Sequence, residues 1–164
     1  MTRPIVNLSE LEFAEFGKGD RFRAGRAPVS SRIGARNLGY SVIRLAPGKR
    51  AWPYHAHHVL EEMFFILEGR GTLRHANREY PVKAGDFICA PADLEQPHQI
   101  INSSDGELIY IALSTEESAD VVRYPDSGKY GVWCGTPGDP QAPASFKVIA
   151  REETAVDYWD GESD

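Results

Sequence analysis

Cysteine is scarce in this sequence: two in 164 residues, Cys89 and Cys134, with no CxxC pair. That excludes a disulfide framework and suits a reducing compartment, so a cytoplasmic protein is expected. Cys89 lies in the apolar run Phe87–Ala90, where a thiol packs as a small hydrophobe. Long apolar runs are also missing. Met63–Leu67 and the stretch through Ile109–Leu113 reach only a fraction of the ~20 residues that cross a bilayer as a helix. No basic-then-apolar leader opens the chain, so neither a membrane span nor a cleaved signal is expected. Helical periodicity is thin as well. One short helix is expected from Ser9, carrying Leu11, Glu12 and Phe16, with Gly17 and Gly19 to stop it.

Positive charge is short overall, with 18 Lys and Arg against 24 Asp and Glu and a net charge of −6. It is also unevenly spread. Residues 1–50 hold ten basic and four acidic side chains, whereas residues 51–164 hold eight and twenty. The basic stretch from Lys18 to Arg36 includes Arg21, Arg23, Arg26 and Arg32, but offers a single aromatic, Phe22, for base stacking. It therefore reads as a solvated arm that complements the acidic remainder or a second subunit, and no nucleic acid partner is expected.

What the sequence does contain is a succession of short apolar or alternating runs separated by turn residues. Strands are expected at Tyr40–Leu45, Trp52–His57, Glu62–Leu67, Gly71–His75, Arg78–Val82, Phe87–Ala90, His98–Asn102 and Glu107–Leu113. Pro47-Gly48, Glu68-Gly69, Ala76-Asn77, Ala84-Gly85-Asp86 and Asp105-Gly106 supply the turns between them. Eight strands without intervening helices make an all-β domain: a sandwich, jelly roll or barrel. Residues 40–113 form its core; 1–39 are an N-terminal arm that packs on the barrel or a partner subunit. Residues 114–164 are a C-terminal extension that docks on the barrel, with few strong elements beyond the turn sequence Tyr124–Lys129 and the aromatic end Tyr158-Trp159-Asp160-Gly161. Met63, Phe65 and Leu67 alternate with Phe64 and Ile66, so that strand is apolar on both faces. One face fills the barrel, and the other needs cover, which predicts a homodimer.

Three of the five histidines fall in His55-Ala56-His57-His58. On a strand His55 and His57 share a face, and two buried imidazoles on one face need partners for their nitrogens. Glu61 and Glu62 follow, and alternation lets only one of them face inward; spacing from the histidines alone does not choose. His98 opens another strand. Three imidazoles and a carboxylate suit one borderline divalent ion: zinc, iron, manganese, nickel or cobalt. His75, beside the Ala76-Asn77 turn, reads as a surface or hydrogen-bonded residue and not as a ligand.

Gly48 through Gly69 resembles the first motif of the cupin superfamily: His-x-His at 55 and 57, four residues to Glu62, six more to Gly69. That spacing selects Glu62 over Glu61. The second motif is matched by Gly85, Pro91, His98 and Asn102, with Asp93 where the motif has Gly and a lengthened gap before His98. Asp tolerates left-handed backbone better than most residues. The flanks are similar to a group of small bacterial single-domain cupins, some of which carry the name sugar-phosphate isomerase. The resemblance implies a double-stranded β-helix (jelly-roll) barrel holding one metal ion on His55, His57, Glu62 and His98. Two reactions are open to such a site: isomerisation of a sugar or keto acid, and dioxygenation with iron. A metal-dependent enzyme acting on a small molecule is the leading reading; the others are a non-catalytic module that binds or senses a small ligand, and a protein whose metal only locks the fold. Glu61, His58 and Tyr110 are the spare candidates for proton transfer, and Arg44 or Lys83 for an anionic anchor.

Overall fold

The computed structural model describes residues 3–135 and 146–162; part of the expected C-terminal extension, residues 136–145 and 163–164, lies outside them. The strands in chain order are β1 (Ala14–Lys18), β2 (Phe22–Pro28), β3 (Leu38–Leu45), β4 (Ala56–His57), β5 (Glu62–Glu68), β6 (Arg70–His75) and β7 (Arg78–Lys83). They continue with β8 (Phe87–Ala90), β9 (His98–Ile101), β10 (Leu108–Thr115), β11 (Ala119–Tyr124), β12 (Lys129–Cys134) and β13 (Phe146–Arg151). One four-residue helix, Ser30–Ile33, and three short 3₁₀ turns are the helical elements among the described residues. No helix among those residues is long and apolar enough to cross a membrane.

Three antiparallel sheets result, with strand orders β1-β2-β3-β10-β5-β8, β7-β6-β9 and β13-β12-β11-β4. The core lies between the first two. Ile43, Leu45, Phe64, Ile66, Leu108 and Tyr110 from the six-stranded sheet meet Leu73, Val82 and Ile100 from the three-stranded one. Strand alternation produces this directly: Phe64 and Ile66 point into the core, while Met63, Phe65 and Leu67 face outward. The outer face is partly covered by Val6, Leu8 and Leu11, which lie against Val42, Leu67 and Ile111. Phe87 stays 75% exposed there, packed on Phe65 with ring centroids 4.4 Å apart. Cys89 shares that face and is exposed, because its neighbours Ile88 and Ala90 take the inward positions; the expected buried thiol is corrected.

Two other expectations change. The helix from Ser9 does not form. Asn7 and Glu10 build a capping box, but it closes only a 3₁₀ turn at Leu8–Glu10, and Ala14–Lys18 pairs with β2 instead. Eight or so residues are too few for a helix to hold itself, and pairing places Phe16 against the core and 5.6 Å from Trp52. The flanks are also richer in structure than their composition suggests. β1 and β2 extend the six-stranded sheet through β3, and β11 pairs with β4. The expected strand Trp52–His57 shrinks to Ala56–His57, since Pro53 has no N–H to give to a ladder. Side chains and a bridge hold the rest: Gln99 Nε2 donates to the Trp52 carbonyl, and His55 and His98 exchange both backbone hydrogen bonds.

The Tyr124–Lys129 turn forms as read, a 3₁₀ turn at Pro125–Ser127 ended by Gly128, joining β11 to β12. At the far end, Tyr158 and Trp159 pack on each other at 4.7 Å and are 84% and 69% exposed. Gly69 sits at φ +84° where a Cβ would stand 2.2 Å from the Glu107 carbonyl oxygen; no side chain fits the turn between β5 and β6.

Candidate metal centre

The paired backbone bonds between His55 and His98 set their imidazoles side by side, with centroids 4.6 Å apart. His57, two residues on, presents its ring to the same space, and Glu62 at the start of β5 reaches in from the six-stranded sheet. One carboxylate oxygen, Glu62 Oε2, faces three imidazole Nε2 atoms: His98 at 2.9 Å, His57 at 3.4 Å and His55 at 3.9 Å. His58 and Glu61 are exposed and take no part. The inward residue of the adjacent pair is thus Glu62.

Two atoms in this group are orphaned. Glu62 Oε2 and His98 Nε2 are shielded from solvent and make no directed hydrogen bond, although they are close enough for one. Buried polar atoms are rarely left this way. A cation placed among them satisfies the oxygen and the nitrogens together, and the ligand atoms of His55, Glu62 and His98 all lie within 4.8 Å of one another. The donors of His55, Glu62 and His98 therefore fit a borderline divalent ion, and His57 Nε2 lies 3.4 Å from the same carboxylate oxygen.

The proton inventory agrees. Burial drives the His55 pKa down to about 3, with the neighbouring His98 adding to the shift, so the ring is neutral near pH 7. Its Nδ1 is 2.8 Å from the Pro53 carbonyl oxygen, which can only accept; Nδ1 carries the hydrogen and Nε2 keeps its lone pair. For Glu62, burial favours the neutral acid, but the His98 contact and the nearby imidazoles outweigh it and lower the pKa. At His57, burial opposes protonation, yet the Asp120 bond and the Glu62 carboxylate prevail and raise the pKa.

Sequence reading missed the far wall. Asp120 on β11 is 2% exposed and its Oδ2 lies 2.5 Å from His57 Nδ1. The Tyr124 ring stacks along His55 at 6.2 Å, and Trp133 from β12 meets His57 edge-on at 6.4 Å. The only signal in the sequence was a lone acidic residue in the apolar run Ala119–Val122, a position that demands a partner once buried. On the barrel side, the cluster borders a cavity of about 20 Å³ lined in part by Trp52, Phe64 and Tyr110, room for about one water. Tyr110 is thus the one spare proton-transfer candidate beside the cluster; burial and the Glu62 charge raise its pKa and keep the phenol protonated.

The remaining sequence candidates lie elsewhere. Arg44 pairs with Glu107 and covers the Phe13 ring, and Lys83 borders an open groove with Arg70 and Asp86. His75 is half-buried and outside the cluster; it faces His98 across the ladder with its Nε2 shielded, and burial and the nearby His98 lower its pKa. Asn102 is structural: fully buried, it donates to the Leu45 and Gly106 carbonyls and accepts from Ser104. Asp93 is not left-handed; it replaces the motif glycine by capping its own turn, accepting from Glu95 N and Gln96 Nε2.

Comparison with known proteins matches this architecture. Residues 41–114 fit the Cupin_2 family, described as a cupin domain. An uncharacterised protein of Methanocaldococcus jannaschii is 44% identical over 60 residues, 37% of this chain and 46% of that protein, so the match spans about half the relative's length. A crystal structure of a proposed sugar phosphate isomerase from Acidithiobacillus ferrooxidans superposes with TM-score 0.68 at 28% identity over 80% of each chain. One called a sugar phosphate isomerase from a cupin superfamily, from Silicibacter pomeroyi, reaches TM-score 0.77 at 20% identity, covering 96% of this chain and 98% of that one. The segment that carries the barrel core and the histidine–glutamate cluster is the one matched, so residues 41–114 form a cupin domain.

Proposed function

We propose that this protein is a metal-dependent enzyme acting on a small molecule, of the sugar or keto-acid isomerase type, with one divalent ion held by His55, His57, Glu62 and His98. The observation that carries this reading is the convergence of three imidazole nitrogens on one orphaned carboxylate oxygen beside a protonated phenol. Bound there, the ion supplies Lewis acidity toward a carbonyl or enolate oxygen. The chain's own residues do the rest. Glu62 and neutral His55 offer lone pairs, Tyr110 holds a proton at its hydroxyl on the barrel side, and Trp52 and Phe64 keep that side nearly dry. Because the cavity there holds about one water, substrate approaches from the side walled by Tyr124 and Trp133. Lys129, whose ammonium stands 5.5 Å from the Tyr124 ring centroid, brings positive charge to that side and takes over the anchoring role expected of Arg44 or Lys83. The names of the two isomerase-called structures support the reaction class.

The same reading includes a homodimer formed through the outer face around Phe65 and Phe87, and a cytoplasmic location, which the scarcity of cysteine suits. The test begins with elemental analysis of tag-free protein, beside a His55→Ala/His57→Ala control: about one transition metal per chain is expected, and none in the control. Metal-loaded protein is then incubated with aldose and ketose phosphates in deuterated water and followed by proton NMR. Solvent exchange at the carbon next to the carbonyl, lost in Glu62→Gln, supports the isomerase; metal without exchange or turnover leaves a ligand-binding module.

A further inference from the structure

We propose that Asp120 is the positioning residue of this metal centre, holding His57 in the tautomer and orientation that aim Nε2 at Glu62, so that a strand beyond the matched cupin segment completes the site. The proposal rests on the metal-centre reading above. Asp120 lies on β11, past residue 114 where the family match ends. Its carboxylate accepts twice: Oδ2 faces His57 Nδ1 at 2.5 Å, and Oδ1 accepts the Val59 N–H at 3.0 Å. A carboxylate that accepts on both oxygens leaves Nδ1 as the donor, and the neutral ring then has its lone pair on Nε2. The backbone fixes the distance. β11 pairs with β4 so that Val122 stands opposite His57, and the next N–H, that of His58, donates to the Val121 carbonyl.

His55 shows what this arrangement replaces. Its Nδ1 is satisfied by the Pro53 carbonyl two residues away, so its aim is set locally. His57 has no such neighbour and depends on a side chain 63 positions later in the chain. Supporting groups of this kind orient ligating histidines, and their removal costs about 10- to 100-fold in metal affinity.

An asparagine does not substitute. With its oxygen toward His57, the amide NH₂ faces the Val59 N–H, donor against donor. Turned over, the NH₂ meets Nδ1 and forces the hydrogen onto Nε2, which removes the ligand.

The experiment has two arms. In chelator competition with Co²⁺ and Zn²⁺, Asp120→Ala and the near-isosteric Asp120→Asn are each expected to bind ~10- to 100-fold more weakly than wild type. In a His57→Ala background, Asp120→Ala is expected to change affinity less than about twofold, because its effect runs through that ring. A merely structural role would weaken both backgrounds alike, and that result overturns the proposal. The second arm needs no metal. Long-range ¹H–¹⁵N NMR, at a pH where the ring is neutral, is expected to show His57 as the Nδ1–H tautomer in wild type and to lose it in both variants. A wild-type ring carrying its hydrogen on Nε2 overturns the proposal even if every variant fails to fold. The expected tautomer in a protein that binds no metal would uphold the positioning and sink the metal reading instead.

Discussion

The barrel and the C-terminal sheet contribute different things to one site. In the metal reading the donor atoms all lie within the segment from His55 to His98. The strands β11–β13 carry none of them, yet their Asp120, Tyr124 and Trp133 surround two of the three histidines. Donors can be traded for one another only at the cost of binding, whereas a wall residue that bonds to neither ring nitrogen can be altered and leave binding in place. The lesson is that the wall acts on binding only through the rings it orients.

The largest expected effect falls on the barrel side. Glu62→Ala should weaken metal binding by more than ~100-fold, beyond the usual cost of losing a supporting group. Chelator competition measures it, and an unchanged affinity would erase the distinction between the two regions. Next is the shared core. Phe64→Ala, at 3% exposure, should destabilise by ~3–5 kcal/mol in urea unfolding. Trp133→Ala sharpens the contrast: a change in metal affinity below ~10-fold is expected, since it touches the His57 ring without bonding to either nitrogen.

The titration of the metal-free protein separates the two histidines. The folded His55 pKa, about 3, lies below its unfolded value of 6.5, so the unfolded chain binds more protons between those limits. Stability contributed by neutral His55 is present above pH 6.5 and is lost as pH falls through that window; Glu62, also lowered, adds to the loss below pH 4.5. His57 runs the other way: its raised pKa gives stability present below pH 6.5 that is lost as pH rises through the folded value. Unfolding midpoints in urea across pH 3–9 should show a flatter acid limb in His55→Leu and a flatter alkaline limb in Asp120→Ala. The smallest effect belongs to the tail. Tyr158→Ser with Trp159→Ser should move stability by less than ~0.5 kcal/mol, as expected for surface positions; a larger loss would mean that the tail is covered in solution.

The same division explains what the sequence could reveal. His55, His57 and Glu62 follow one another closely, so strand alternation and short turns set their geometry, and the spacing is a direct record of it. Even His98 could be placed, because it opens a strand of its own. Asp120, Tyr124 and Trp133 reach the site through the pairing of β11 with β4 across more than sixty residues, and nothing local marks such a pairing. β1 was hidden for a related reason. Its mixed residues, with Gly17 inside and Gly19 just beyond, suit a capped turn as well as a strand, and only the ladder with β2 decides. The exposure of Cys89 turned on the phase of one short strand, which Ile88 and Ala90 settle by filling the core.

Arg74 gives the site wall a mounting of its own. From β6 its guanidinium holds both oxygens of Asp126, at 2.6 and 2.8 Å, and lies 3.7 Å from the centroid of the buried Tyr54 ring. Asp126 sits at the bend between β11 and β12, and β6 is the strand that pairs with the one carrying His98. The hairpin bearing Tyr124 and Trp133 is therefore pinned at its tip to the strand that frames the floor of the site. To swing away it must break a two-pronged ionic contact to a guanidinium that is itself held over Tyr54. Wall and floor are thus linked through one ion pair, and the placement of Tyr124 and Trp133 over the histidines rests on a residue of the barrel.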